Sequence, residues 1–150
     1  MLLDAALAYL HFIAILLLAS LMSAEALLLR PSVAQQSSRW IARLDLGVGL
    51  SAIAVVASGL SRAVWGAKGW AYYAHNPVFH AKIGVFVLIG LMSIIPTVLF
   101  LRWARRHREL PGYAVPAEEV RRARRWVLIE LHLLPLLPLF GVMMSRGMHF

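Results

Sequence analysis

Asn76-Pro77-Val78-Phe79-His80-Ala81-Lys82 opens an apolar run that continues to Trp103, and its reading decides the fold. Asn is a favoured helix N-cap and Pro a favoured first helical residue, so the spacing predicts a helix from Pro77. The run is long enough to cross a bilayer, which takes about 20 apolar residues. It also carries an imidazole and an ammonium in its first two turns. Ionisable groups persist in a membrane helix where protein, water or a ligand compensates them, which makes His80 and Lys82 candidates for function.

Outward from this run the pattern repeats. Asp4 to Leu29, Asp45 to Trp65 and Trp126 to Ser145 are the other apolar stretches, and 61% of the 150 residues are hydrophobic. A water-soluble domain of this size needs a mostly polar surface, so the expected fold is all-α: an integral membrane four-helix bundle occupying 1–150 as one domain, with helices about 4–29, 45–65, 77–103 and 116–145. Ala24-Glu25-Ala26 has the small-x-small form of a signal cleavage site. No Lys or Arg precedes the first apolar run, however, and the run exceeds the roughly 7–15 residues of a signal core, so it is read as a retained helix. The absence of cysteine excludes disulfides, thiolate ligation and iron–sulfur clusters, which leaves histidine, backed by six methionines, as the main metal ligand.

The net charge of +8 has a topological explanation, and nucleic acid is not an expected partner. Of fifteen Lys and Arg, eleven flank or separate helices one and two (Arg30, Arg39, Arg43) and helices three and four (Arg102, Arg105, Arg106, Arg108, Arg121, Arg122, Arg124, Arg125). Arg62, Lys68, Lys82 and Arg146 lie on the other side. The positive-inside rule then places both termini on the outer, periplasmic side of a bacterial inner (cytoplasmic) membrane, with the arginines near anionic lipid headgroups.

In helix one, His11 and Glu25 are fourteen residues apart and thus within about 40° of each other, a shared face that should be the bundle interior. Arg30-Pro31 should end that helix, with Ser32 to Ser38 as a polar connection. Gly47, Ser51, Ala54 and Ser58 make a small-residue stripe on helix two, suited to close helix packing and also to a planar ligand, with Arg62 at its outer edge. Trp70, Tyr72 and Tyr73 suit a headgroup interface. Pro96 should bend helix three, and Pro135 and Pro138 should kink helix four beside Glu130 and His132, which point about 200° apart. Glu118 and Glu119 can pair at i+3 with Arg121 and Arg122, and Asp45 with a loop arginine.

Counted at about 1.5 Å per residue, His11 lies about 10 Å and His80 about 5 Å below their outer helix starts, a difference that tilt can absorb. Two imidazoles at similar depth are what a six-coordinate haem iron needs, with propionates on Arg62, Lys68 or Lys82. The plainer alternative is that these histidines bond across helices or snorkel to water, which is the reading adopted for His75, His107 and His149. On the other side, Glu25 or Glu130 could relay protons, or serve as interhelical hydrogen-bond partners.

Tyr9-Leu10-His11, Glu25 through Arg30-Pro31, Asn76-Pro77-x-Phe79-His80-Ala81-Lys82 and the arginine-rich start of helix four resemble a bacterial family of predicted membrane proteins of unknown function. More distantly, Leu10-His11 and His80-x-Lys82 resemble the HemJ-type protoporphyrinogen oxidases, four-helix membrane proteins that bind haem b. That resemblance implies His11 and His80 as iron ligands and Lys82 and Glu130 as catalytic residues. Where that family has Asn-Glu-x-Pro in helix four, this chain reads Ile129-Glu130-Leu131-His132. Haem binding therefore carries over ahead of porphyrinogen oxidation. A looser likeness to copper-resistance membrane proteins of the D type points to copper handling, through His11, His80, His132 and methionines such as Met22, Met92, Met143 and Met144. The leading expectation is one haem b per chain between His11 and His80, serving electron transfer or oxidation with a redox partner, quinone or porphyrin. A homodimer is left open, and a cofactor-free assembly subunit is the third expectation.

Overall fold

Each apolar stretch forms a helix, because backbone amides in lipid must be satisfied within their own segment. The computed structural model describes residues 1–148, in which the helices are α1 (Leu2–Leu28), α2 (Pro31–Trp65), α3 (Gly69–Ala74), α4 (Pro77–Glu109), α5 (Ala117–Leu133) and α6 (Leu136–Ser145). Helices α1, α2, α4 and the α5–α6 pair are each long and apolar enough to cross a membrane. They form an antiparallel bundle with two distinct ends. The terminal end carries Met1, α3 and Ser145; the arginine-rich end carries the α1–α2 junction and the loop from α4 to α5. His149 lies outside the described residues.

Helix α2 begins earlier than its hydropathy suggests. Arg30 is extended (φ −118°, ψ 138°) and Pro31 restarts the helix at once, so Ser32 to Ser38 is helical and not a loop. The reason is tertiary. Ala34, Ser38 and Ile41 are buried, and Gln35 clasps Val115 on the α4–α5 loop: its Nε2 donates to the Val115 carbonyl (2.9 Å) and its Oε1 accepts from the Val115 amide (3.1 Å). This polar turn of helix pins a loop that would otherwise be unsupported. The same extension moves Asp45 to mid-helix, away from the loop arginines, where its Oδ1 accepts from Thr97 Oγ1 at 2.9 Å.

The fourth span breaks at Leu134–Pro135, where Pro135 cannot donate to the α5 ladder, so α6 sets off afresh from Leu136. Helix α4, by contrast, runs unbroken through Pro96. At the start of α4, Asn76 Oδ1 accepts from the Val78 amide (2.9 Å) with Pro77 in the first turn, as the motif predicts. Glu118 pairs with Arg121 as expected, but Glu119 turns inward and accepts from Trp103 Nε1 (2.7 Å).

Two apolar clusters fill the bundle. One lies at the arginine-rich end around Leu29, Ile41, Phe100, Trp103, Val120 and Val127, and the other at mid-depth around Leu18, Met22, Val55, Ile89 and Leu137. Exposed Leu16, Leu50, Ile53, Leu91 and Leu139 coat the outside. That surface is suited to lipid, where apolar side chains need no burial. At the terminal end the core gives way to a cavity.

Candidate functional site

The cavity lies between α1, α2, α4 and α6, has a volume of about 340 Å³, and is walled by Ile15, Val55, Val56, Leu60, Ile83, Phe86, Val87 and Leu137. Its polar lining is sparse: His11, Arg62, Lys68, Lys82, Tyr73 and Ser145. Small-molecule sites are typically apolar pockets of roughly 300–1,000 Å³ with few polar groups, and this one is of that kind.

His11 comes from α1 and is 5% exposed. Its Nδ1 lies 2.9 Å from Ser58 Oγ on α2. The Ser58 hydroxyl is itself 2.7 Å from the carbonyl of Ala54, which can only accept, so the single hydroxyl hydrogen lies on that bond. Ser58 must then accept from His11, which makes Nδ1 a donor; in the neutral ring Nε2 is then the unprotonated nitrogen. Gly59 completes the seat: a Cβ at that position would stand 3.1 Å from His11 Cε1. The small-residue stripe on α2 thus packs against α1 near Leu21, where a Cβ on Gly47 would meet Leu21 Cδ1 at 3.2 Å, and cradles the imidazole further along.

Two cations reach the same cavity without counter-charges. Arg62 Nε is buried and has no hydrogen-bond partner, and neither Arg62 nor Lys82 takes part in an ion pair among the described residues. Buried donors are nearly always satisfied, so an orphaned guanidinium nitrogen marks a place for an acceptor. Lys68 is committed elsewhere, donating to the Met144 carbonyl (3.0 Å) and the Tyr72 hydroxyl (3.2 Å). Those bonds, with Tyr72 Oη donating to the same carbonyl (2.7 Å) and the Ala67 amide to Asp4 Oδ1 (3.1 Å), tie α1, the α3 region and α6 together over the cavity.

His11, Arg62, Lys68 and Lys82 are therefore brought together, and His80 is not. His80 is exposed, lies outside the cavity lining, and donates from Nδ1 to the carbonyl of Asn76 in its own helix (3.0 Å). Residues 80 and 82 are about 200° apart on a helix, so with Lys82 turned to the cavity His80 faces away. Glu130 also lies apart. It belongs to a polar group deeper in the bundle, toward the arginine-rich end, where its Oε2 accepts from Ser93, its Oε1 has no partner, and Glu25 and Asp45 are within electrostatic reach. Glu25 and Glu130 are 2% and 1% exposed, and His132 is on the outer surface, so the opposed directions of Glu130 and His132 are as expected. His75 and His132 donate to their own helices, to Ala71 (2.8 Å) and Leu128 (2.6 Å), while His107 sits between Ser38 and the Trp103 carbonyl (both 3.1 Å). No group of three or more His, Asp or Glu close enough to hold a metal ion occurs among the described residues.

Three residues at or beside the cavity have roles that a sequence reading does not give: Ser58 as acceptor, Gly59 as the seat, and Met144, expected only as one of several methionines for copper, which the break at Pro135 carries to the cavity wall. The first two fall on or beside the small-residue stripe of α2. Nothing in the local pattern of α6 marks Met144.

Residues 3–149 match DUF2214, described as a predicted membrane protein. The chain belongs to this family. None of the curated proteins and none of the solved structures matches it. DUF2214 membership accords with the four membrane-length helices and leaves the role of the cavity to be argued from its residues.

Proposed function

We propose that the chain is a membrane protein that binds haem b in the cavity at its terminal end and passes electrons. The observation that supports this reading is the joint placement of an oriented imidazole and two unpaired cations in one apolar cavity. Haem b needs an axial nitrogen, apolar surroundings and partners for two propionates, and the cavity residues offer an imidazole, aliphatic and aromatic walls and two cations. His11 would hold the iron through Nε2, since Ser58 and Gly59 keep the ring's other side engaged. Arg62 and Lys82 would hold the carboxylates. Met144, a residue of the same cavity wall, is the candidate for a second ligand in place of His80. When bound, the iron would supply one-electron chemistry at a potential tuned by these ligands and by the dryness of the walls.

Among the described residues His11 is the one histidine that lines the cavity, which supports one haem per chain. By the positive-inside rule the arginine-rich end faces the cytoplasm, which puts the cavity in the periplasmic half of a bacterial inner membrane, within reach of a redox partner or quinone. Electron transfer is favoured over HemJ-like oxidation because Lys82 and Glu130 do not share a site.

Titrating the detergent-purified protein with haemin tests the role of the cations. Loss of a charge-assisted contact removes about 1.5–3 kcal/mol, so Arg62→Gln with Lys82→Gln should weaken haem binding by roughly tenfold or more while leaving helix content unchanged. Equal affinity in the double variant would refute the assignment of the propionate partners.

A further inference from the structure

At the opposite end, the outer face of α5 carries a second built feature, independent of the haem reading. Arg121, Arg124, Arg125, Leu128, Ile129 and His132 fall at positions i, i+3, i+4, i+7, i+8 and i+11, one face of a helix, and with Leu133 they line a groove of about 560 Å³. Its order is amphipathic along the axis: guanidinium groups first, then aliphatic side chains for about two turns. From Arg125 to Leu133 the helix rises about 12 Å, most of the roughly 15 Å of hydrocarbon in one leaflet. Arg121 is engaged by Glu118, whereas Arg124 and Arg125 are exposed and make no ion pair among the described residues.

We infer that this groove is a binding site for one anionic phospholipid, its phosphate held by Arg124 and Arg125 and an acyl chain laid along Leu128, Ile129 and Leu133. Planar guanidinium groups bind phosphate oxygens in pairs, and juxtamembrane basic clusters attract anionic lipid. Charge decides between this occupant and a second copy of the chain. Eleven of the fifteen Lys and Arg lie toward this end, so two copies meeting here would set like charge against like in a medium that screens poorly. A phosphodiester neutralises the same field. The bond of His132 Nδ1 to the Leu128 carbonyl turns that ring back along its own helix at the groove's deep end.

The test uses the full chain in nanodiscs of phosphatidylcholine containing one-fifth phosphatidylglycerol, followed by extraction into neutral detergent and native mass spectrometry. The wild type should retain phosphatidylglycerol well above its share of the bilayer. Arg124→Gln with Arg125→Gln should lower that enrichment by roughly tenfold. Both positions are exposed, and an unchanged circular dichroism spectrum excludes misfolding. Arg105→Gln with Arg106→Gln, on α4 outside the groove, should leave the enrichment intact. Lipid retained at the bulk ratio by the wild type, equal losses in both double variants, or a dimer that persists without lipid and disperses in Arg124→Gln with Arg125→Gln would each overturn the site. Glycerophosphate at millimolar concentration should fail to displace the lipid; displacement would show a bare phosphate site instead.

Discussion

The two ends of the bundle solve opposite problems with the same four spans. At the arginine-rich end, Phe100, Trp103, Leu29 and Ile41 are essentially inaccessible, the Trp103 indole is bonded to Glu119, and Gln35 staples a loop onto the core. At the terminal end the helices stand apart around a cavity in which the buried Arg62 Nε has no partner and neither Arg62 nor Lys82 takes part in an ion pair among the described residues. A chain that packed purely for stability would close that gap. The difference teaches that one end holds the fold and the other is held open by it.

The comparison can be broken most readily where the packing is densest. Phe100→Ala should destabilise the protein by about 3–5 kcal/mol in reversible unfolding from detergent, the usual range for a buried aromatic. Val87→Ala, on the cavity wall and half exposed, should cost under about 1 kcal/mol. Similar losses at the two positions would mean that the ends do not differ. Next in size is Ser93→Ala, which leaves the buried Glu130 carboxyl with neither oxygen bonded and should cost about 1–3 kcal/mol. Asn76→Ala removes the cap of α4 and should lower the melting point by the equivalent of about 1 kcal/mol. The smallest effect on stability is expected at Gly59. Its alanine variant places a Cβ against His11 Cε1, so stability should move by less than about 1 kcal/mol while haem affinity falls. A Gly59→Ala protein with wild-type haem affinity would show that the seat of His11 is unimportant.

The four spans, the cap at Asn76 and the inward direction of His11 and Glu25 were legible because each rests on a local rule: hydropathy, capping or the 100° step. The start of α2 was not, since residues 32–39 are mostly polar and their helix is stabilised by the distant Val115 loop, which no window of sequence contains. Asp45 was misread for the same reason. The most instructive placement is that of His80, outside the cavity lining. The two-residue spacing that separates Glu130 from His132 also separates His80 from Lys82, and applying it to the opening motif would have shown that one helix cannot offer both to a single cavity. The cations on the terminal side were legible as a set, whereas their convergence with His11 depends on how α4 and α6 pack, and the presence of Met144 depends on the break at Pro135.

In the proposed function His11, and not His80, seats the haem. Reduced-minus-oxidised optical spectra of the protein purified after expression with haem supplied, compared with His11→Ala and His80→Ala, test it most directly. A Soret and α-band are expected in the wild type, the same bands in His80→Ala, and their loss in His11→Ala. A colourless wild type, or bands that survive His11→Ala and vanish in His80→Ala, would contradict it.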